Sequence, residues 1–243
     1  MNIAIIFAGG TGQRMNTNGV PKQFLKVYGK PILVWTIEKF QSNENIDAIV
    51  VVILSQGIGI IEDCKNRYGL SKIKAVVKGG KTGQESIFNG LCKAKEMFGN
   101  NSESNIVLIH DGVRPFVTND LINNCIKDSK VFGNAISVSP AIETVVKLNS
   151  ENNIKEIIDR SVCYHAKAPQ CFLLNDIYSV HLKAIKEKKR DLFIDSASLM
   201  NNYGYQLHSV LCNSENIKIT TPKDFYTMKA LLEAEESYQI LGV

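Results

Sequence analysis

The chain opens on an uninterrupted apolar run, Asn2-Ile3-Ala4-Ile5-Ile6-Phe7, which leads into a glycine-rich segment, Ala8-Gly9-Gly10-Thr11-Gly12-Gln13-Arg14-Met15. An apolar run without alternation, ended by glycines, is typical of a strand that is buried on both faces of a parallel sheet. Glycines lack the Cβ atoms that would keep an anion away from successive backbone N–H groups, and Arg14 adds a permanent positive charge. The stretch therefore predicts a buried first strand followed by a loop that binds phosphate.

Two familiar phosphate-binding patterns do not fit this loop. No Gly-Lys-Ser/Thr follows, as the P-loop requires, and Met15 stands where the dinucleotide fingerprint needs a third glycine. A glycine-rich turn after a strand is also found as a plain tight connection. A second cation, in Pro21-Lys22-Gln23-Phe24, lies close enough in sequence to reach the same anion.

The composition indicates a globular protein that handles small molecules. The 243 residues, 44% hydrophobic and 21% charged, suit one large α/β domain. The net charge of +4 comes from scattered lysines, whereas nucleic-acid binding needs a basic stripe. The sequence shows neither a signal-peptide pattern nor an apolar run of ~20 residues, so we expect a cytoplasmic protein with no membrane partner. The six cysteines form no C-x-x-C pair and are expected to be reduced.

Further apolar runs alternate with helical patterns. Strands are predicted at about residues 48–54, 74–77 and 105–110, and helices at about 31–40, 58–68 and 86–98. This alternation predicts a doubly wound, mostly parallel sheet whose ligand lies at the carboxyl ends of the strands. The loops that follow the first, third and fourth strands all fall at that edge.

The second half of the chain has a different pattern. A strand is predicted at 135–140, and a β-hairpin at 144–148 and 154–158 around a polar turn. Helices are predicted at about 174–189, at 195–203 and from Pro222 to Tyr238. Late strands are predicted at 206–211 and 217–219.

The fourth strand ends on a second group of candidate functional residues, His110-Asp111-Gly112-Val113-Arg114-Pro115. An aspartate at this edge suits a Mg²⁺ ion shared with nucleotide phosphates, because Mg²⁺ prefers hard oxygen ligands. The alternative is a helix N-cap. His110 is expected to pack or to form a hydrogen bond beside Asp111 rather than to act in catalysis.

Gly-Gly-x-Gly-x-Arg-Met at 9–15, followed by Pro-Lys-Gln-Phe, resembles the nucleotide loop of the sugar-nucleotide pyrophosphorylase superfamily. The second motif narrows the resemblance to the cytidylyltransferases that activate methylerythritol phosphate or ribitol phosphate. Segments 110–115, 159–172 and 216–222 match this family in its order. The resemblance implies a Rossmann-like nucleotidyltransferase fold over a single domain, residues 1–243. It also implies a homodimer whose hairpin arm, at about 140–160, reaches the partner's site.

The resemblance also implies roles for individual residues. Those assigned to catalysis are Arg14, Lys22 and Lys218. Those assigned to the nucleotide are Ala8, Gly9, Gly10, Thr11, Gly12, Gly80, Ser86 and Asp111. Those assigned to the acceptor are Arg114, Thr144, Arg160, which would clamp its phosphate, and Asp195, for which a helix cap is the alternative. Mg²⁺ would be held by Asp111 with help from Asn216.

The implied reaction is CTP plus a polyol phosphate giving a CDP-polyol and pyrophosphate. The motifs favour ribitol 5-phosphate or a related alditol phosphate, activated for a surface polysaccharide such as teichoic acid or capsule. The alternative is 2-C-methyl-D-erythritol 4-phosphate, activated for isoprenoid biosynthesis. Two positions depart from both branches: Gly83 stands where arginine is usual, and Ala168 where threonine is usual. They keep open a second alternative, a nucleotide-binding protein without turnover.

Overall fold

The computed structural model describes residues 1–10, 20–99 and 104–241. Its strands are β1 (Asn2–Ala8), β2 (Lys26–Val27), β3 (Lys30–Pro31), β4 (Ala48–Ile53), β5 (Ile73–Lys78), β6 (Ile106–Asp111), β7 (Asn134–Pro140), β8 (Val145–Leu148), β9 (Ile154–Ile158), β10 (Tyr164–Leu173) and β11 (Ser209–Leu211). Its α-helices are α1 (Ile32–Ser42), α2 (Ile58–Arg67), α3 (Gly83–Phe98), α4 (Asn119–Phe132), α5 (Leu174–Lys186), α6 (Ser196–Asn202) and α7 (Pro222–Leu241).

The main sheet has seven strands in the order β11-β7-β10-β6-β1-β4-β5. β10 is antiparallel to both of its neighbours, and the other strand pairs are parallel. β1 is an interior strand between β6 and β4, where Ile5 is in register with Val50 of β4 and Ile109 of β6. The predicted mostly parallel α/β sheet is therefore confirmed, with β1 as one of its interior strands.

Helices cover both faces of this sheet. Successive side chains of a strand point to opposite faces, so Ala4 and Ile6 pack on one side and Ile3 and Ile5 on the other. The first side buries apolar residues of α1, α2 and α4, and the second side buries those of α3, α5 and α6. Burial on both faces explains why β1 has no polar alternation.

Three elements differ from the sequence prediction. Helix α3 begins at Gly83 rather than near Ser86, because the Thr82 side chain accepts a hydrogen bond from the Glu85 backbone N–H at 3.1 Å and caps the helix there. The predicted strand at 217–219 is not formed; Ile219 instead donates its backbone N–H to the Val113 carbonyl at 2.8 Å. The strand predicted at 206–211 is shortened to β11.

Besides the two-residue strands β2 and β3, two longer elements of the structure were absent from the prediction. Helix α4 lies between β6 and β7, begins at the Thr118 cap and ends at Gly133, which has a φ of 78°. Strand β10 inserts between β6 and β7 and carries residues of the 159–172 motif into the main sheet. Both elements place the second half of the chain beside the carboxyl end of β6.

The predicted hairpin is present as β8 and β9, which form a two-stranded antiparallel sheet apart from the main one. Apolar side chains in and beside it are exposed, among them Ile142, Ile154, Ile157 and Val162 at 62–72%. Within the described ranges, no helix combines the length and apolar character needed to cross a membrane.

Candidate active site

Loops that follow β1, β5 and β6 enclose a first pocket of about 340 Å³ at the carboxyl edge of the sheet. The sequence predicted that these three loops converge, and the structure confirms it. The first pocket is lined by Phe7, Ala8, Gly9, Gly10, Lys22, Gln23, Gly80, Lys81, Thr82, Gly83, Ser86, Asp111, Val113 and Lys218.

Close side-chain packing explains two of the glycines in the first pocket. A Cβ on Gly9 would lie 2.8 Å from the Ser86 Oγ, and a Cβ on Gly80 would overlap the Glu85 side chain. The Ser86 hydroxyl accepts the Gly80 N–H at 3.0 Å and donates to the Thr82 carbonyl at 2.9 Å. Ser86 thus ties together the loop after β5 by two hydrogen bonds, and its side chain packs against Gly9 in the loop after β1.

Gln23 is a site residue to which the sequence analysis gave no role. Its side chain is 1% exposed, and its amide nitrogen donates to the Ala8 carbonyl at 2.8 Å and to the Gly10 carbonyl at 3.3 Å. The Pro-Lys-Gln-Phe motif contained the residue, but only the fold reveals that its amide braces the start of the glycine loop.

The two predicted catalytic lysines, Lys22 and Lys218, both line the first pocket although they lie far apart in the chain. Lys22 lines the pocket and donates to the Ile219 carbonyl at 3.2 Å, and Lys218 lines it from the segment after β11. The segment that was predicted to be a strand therefore serves to hold both lysines at one place. The other predicted residues of the glycine loop, Thr11, Gly12 and Arg14, lie outside the described residues.

Asp111 and Lys218 form an ion pair at the floor of the pocket, with a distance of 2.5 Å between Oδ1 and Nζ. The Arg114 Nε lies 3.2 Å from the other oxygen of Asp111, and both Asp111 and Arg114 are 7% exposed. Burial raises the pKa of Asp111, but the charges of Lys218 and Arg114 outweigh burial, and the net pKa is below its ordinary value. Asp111 is therefore an anion at neutral pH.

His110 is buried beneath this ion pair. Its Nε2 lies 3.0 Å from the Arg114 carbonyl oxygen, and burial lowers its pKa to about 4. The neutral imidazole must donate through Nε2 to that carbonyl, so His110 holds the loop after β6. The structure confirms the expected packing and hydrogen bond of His110 beside Asp111.

A second pocket of about 310 Å³ adjoins the first and is lined by residues of β6, β10 and α6. It contains two of the predicted acceptor residues, Arg114 and Asp195, and also Lys167 and Ala168. The two pockets share Phe7, Gly83, Asp111 and Lys218. Ligands in the two pockets would therefore meet at the Asp111–Lys218 ion pair.

Asp195 both caps α6 and lines the second pocket. One carboxylate oxygen accepts the Ser198 N–H at 2.8 Å, and the other accepts the Gln170 side-chain N–H at 2.8 Å. Gln170 also accepts the Ala197 N–H at 3.0 Å. The cap and the pocket position, treated as alternatives in the sequence, occur together.

The structure does not bring three predicted residues into either pocket of this chain. Thr144 is exposed beside β8, and Arg160 is exposed after β9, where it donates to the Ile142 carbonyl at 2.8 Å. Asn216 is buried; its side-chain nitrogen donates to the Ala168 carbonyl at 2.8 Å, and its own carbonyl accepts from Arg114 at 2.6 Å. Within one chain, Asn216 therefore supports Arg114 from behind.

Comparison with known proteins assigns this arrangement to a family. The sequence model of the family described as 2-C-methyl-D-erythritol 4-phosphate cytidylyltransferase, IspD, matches residues 2–234. The chain belongs to the IspD family. The resemblance inferred from the glycine loop and the Pro-Lys-Gln-Phe motif is thereby confirmed.

Relatives carry either of two names within the IspD family. The chain is 50% identical over 243 residues to the ribitol-5-phosphate cytidylyltransferase of Streptococcus agalactiae serotype III, with 100% of both chains covered. It is 38% identical over 234 residues to the 2-C-methyl-D-erythritol 4-phosphate cytidylyltransferase of Clostridium novyi, with 96% of both covered. The crystal structure of 4-diphosphocytidyl-2C-methyl-D-erythritol synthase from Anaerococcus prevotii matches with a TM-score of 0.82 and 26% identity over 96% of each chain.

Membership of the IspD family implies a divalent metal ion, and the residues around Asp111 fit one that is shared with substrate phosphates. Residues 1–10, 20–99 and 104–241 contain no group of three or more His, Cys, Asp or Glu side chains that could hold a metal by themselves. One carboxylate at the junction of two pockets suits Mg²⁺, which is commonly bound through one or two carboxylates together with phosphate oxygens. Asp111 is the side chain that would hold it.

Proposed function

We propose that this chain is a cytidylyltransferase that transfers the cytidylyl group of CTP to ribitol 5-phosphate or a closely related alditol phosphate. The observation that carries the proposal is that two pockets open onto the same Asp111–Lys218 ion pair. The first pocket has the glycine-lined backbone that suits a nucleoside triphosphate, and the second is lined by the charged side chains Arg114, Lys167 and Asp195, which suit a phosphorylated polyol.

The reaction joins an oxygen of the acceptor phosphate to the α-phosphorus of CTP. The bond from that phosphorus to the oxygen bridging to the β-phosphate breaks, and pyrophosphate leaves. A phosphate dianion is already nucleophilic near neutral pH, so no general base is needed. Lys22 and Lys218 neutralise charge on the triphosphate, and Arg14 is proposed as a third cation; rate acceleration comes from position and charge.

The nucleotide is proposed to lie against residues 8–12, with its base and ribose near Gly80 and Ser86. Glycine is needed at both 9 and 80 because the place of a Cβ is already filled by the Ser86 side chain at the first position and by the Glu85 side chain at the second. When bound, Mg²⁺ would supply positive charge to the triphosphate, and Asp111 is the residue proposed to hold it. Gly83 leaves open space where a Cβ would meet nothing within 4 Å.

We also propose that the chain acts as a homodimer. Thr144 and Arg160 lie on the β8–β9 arm, outside the pockets of their own chain, and exposed apolar residues on that arm provide surface to bury. The arm of one chain would pack against the second copy and place its Arg160 beside the acceptor phosphate in the second copy's pocket. The variant Ile157→Asp should halve the mass found by sedimentation, whereas Lys155→Ala on the same strand should not. A wild-type monomer that is fully active would contradict this proposal.

The acceptor is ribitol 5-phosphate in preference to 2-C-methyl-D-erythritol 4-phosphate. Identity of 50% to a relative named for the first substrate, against 38% to one named for the second, supports this choice. The whole chain, residues 1–243, is proposed to act as one domain in the cytoplasm, on small molecules rather than nucleic acid.

Pyrophosphate release from CTP and Mg²⁺ with each acceptor tests the proposal. We expect kcat/KM for ribitol 5-phosphate to exceed that for 2-C-methyl-D-erythritol 4-phosphate by about tenfold or more, which corresponds to roughly 1.4 kcal/mol. The opposite ratio would favour the isoprenoid enzyme. Tight CTP binding without pyrophosphate release in the presence of either acceptor would favour a nucleotide-binding protein without turnover.

Two variants test the proposed charges. Lys22→Ala and Lys218→Ala should each lower kcat by about 10²-fold or more, because each removes a cation from the transition state. Lys127→Ala, an exposed position on α4 that lines neither pocket, is the matched control. Full activity in both pocket variants, at unchanged thermal stability, would remove these lysines from the mechanism.

A further inference from the structure

Lys167 lines the second pocket from β10, directly before Ala168. Its ammonium group donates to two backbone carbonyls, those of Asn213 at 3.4 Å and Ser214 at 3.2 Å. Both partners are neutral, and one of the two bonds is long. The structure thus keeps a lysine at the pocket wall with weak polar contacts.

The carboxylates of the second pocket are occupied by other partners. Asp111 pairs with Lys218 and Arg114, and both oxygens of Asp195 accept hydrogen bonds. Among the residues that the structure describes, no carboxylate forms an ion pair with Lys167. The pocket therefore has one more cation than its carboxylates compensate.

The surroundings of Lys167 disfavour an uncompensated charge. Burial lowers the pKa of Lys167 and the positive charge of Arg114 lowers it further, while Cys212 has the opposite influence. A dianion in the second pocket would offset this effect. It would also offer the ammonium group stronger acceptors than peptide carbonyls, since charge-assisted hydrogen bonds are about twice as strong as neutral ones.

We infer that Lys167 binds the phosphate group of the acceptor and helps to select a phosphorylated polyol. This inference rests on the proposed function. Ala168 beside it has no hydroxyl to offer, and Arg160 lies on the exposed arm, so Lys167 is a contact to the acceptor phosphate that the same chain supplies. A lysine suits the task because its flexible stem lets the ammonium group leave the two carbonyls when the phosphate enters.

The test compares Lys167→Met with wild type in pyrophosphate release, with ribitol 5-phosphate and CTP varied in turn. The loss of a charge-assisted hydrogen bond should raise KM for ribitol 5-phosphate by about 10- to 100-fold. KM for CTP should stay within about twofold, since CTP occupies the other pocket. Lys167→Arg keeps the charge and should recover most of the loss. Lys74→Met is the matched control, because Lys74 likewise donates to a carbonyl, that of Ser71 at 3.1 Å, and lines neither pocket.

The possible outcomes separate this inference from the proposed function. Wild-type enzyme without turnover on either acceptor overturns the proposed function and the inference with it. Wild-type turnover with an unchanged KM for the acceptor in Lys167→Met overturns the inference alone, as does an equal rise in KM for CTP. If Lys167→Met does not fold, Lys167→Gln carries the same comparison, with circular dichroism melting as the check.

Discussion

The Gln23 amide should be required for the glycine loop to bind CTP. Replacement by leucine keeps the volume but removes one buried hydrogen bond of ordinary length, 2.8 Å to the Ala8 carbonyl, and a longer one, 3.3 Å to Gly10. At about 0.5–1.5 kcal/mol for each bond, with the longer one at the low end, Gln23→Leu should lose roughly 1–2 kcal/mol of stability. For a chain of this size that is a fall in Tm of about 2–8 °C.

The effect on activity should exceed the effect on stability. A misplacement of the loop by about 1 Å can cost up to 10²-fold in rate, so kcat/KM for CTP should fall by at least about tenfold. Differential scanning calorimetry and initial rates at varied CTP measure the two effects. The matched control is Gln41→Leu, which loses contacts to Ser71 and Lys72 on a surface away from the pockets and should leave kcat/KM for CTP unchanged. Unchanged Tm and unchanged kcat/KM in Gln23→Leu would refute the reasoning.

Three further predictions concern the loop, the charge and the buried histidines. Gly80→Ala should raise KM for CTP by about tenfold, because the new Cβ displaces Glu85. In Gly83→Ala the new Cβ meets open space, and the free energy of unfolding should rise by about 0.4–1 kcal/mol. CTP titrations and denaturant melts of both variants measure these effects. Asp111→Asn should lose activity steeply and recover little with added Mg²⁺. The pKa of Asp111 in the fold lies below its ordinary 3.8, so the stability that its charge provides is present above pH 3.8 and is lost as the pH falls through the folded pKa. Urea melts of the wild type and of Asp111→Asn at several pH values measure this loss. His110 and His181 have pKa values of about 4 in the fold, so between about pH 6.5 and 4 each of them takes up a proton when the chain unfolds. As the pH falls through this range, the free energy of unfolding should therefore decrease by up to about 1.4 kcal/mol per pH unit for each histidine. In melts at several pH values, His181→Leu should show a slope that is smaller by the contribution of one histidine.

Two features, the start of α3 and the helix α4, are indicated by local sequence patterns that were not used in the prediction. The order Thr82-x-x-Glu85 is the start of a capping box and places the beginning of α3 at Gly83. Thr118, followed by apolar residues at helical spacing in 121–126, predicts α4 in the same way. Both are patterns of nearest neighbours along the chain, so no tertiary information was needed.

Strand β10 had no such signal. Its first four residues are exposed or half-buried, residues 168–172 are buried and Leu173 is half-buried, so the segment shows neither an alternating nor a continuous apolar pattern. Its place is set by pairing with β6 and β7, and its Leu173 is in register with Ile106 of β6, which lies 67 positions earlier in the chain. Pairing of this kind depends on the whole sheet rather than on the strand itself.

By itself, the sequence determined the buried first strand, the glycine turns and the charged residues that end or follow the strands. These are properties of neighbouring residues: burial on both faces leaves a continuous apolar run, and close backbone approach leaves glycine. Only the tertiary structure decided that Gln23 braces Ala8, that Lys218 pairs with Asp111 across more than 100 residues, and that Lys167 faces the second pocket. The direction of a polar side chain depends on which partners the fold brings within about 3 Å of it, and a chain read residue by residue does not contain those distances.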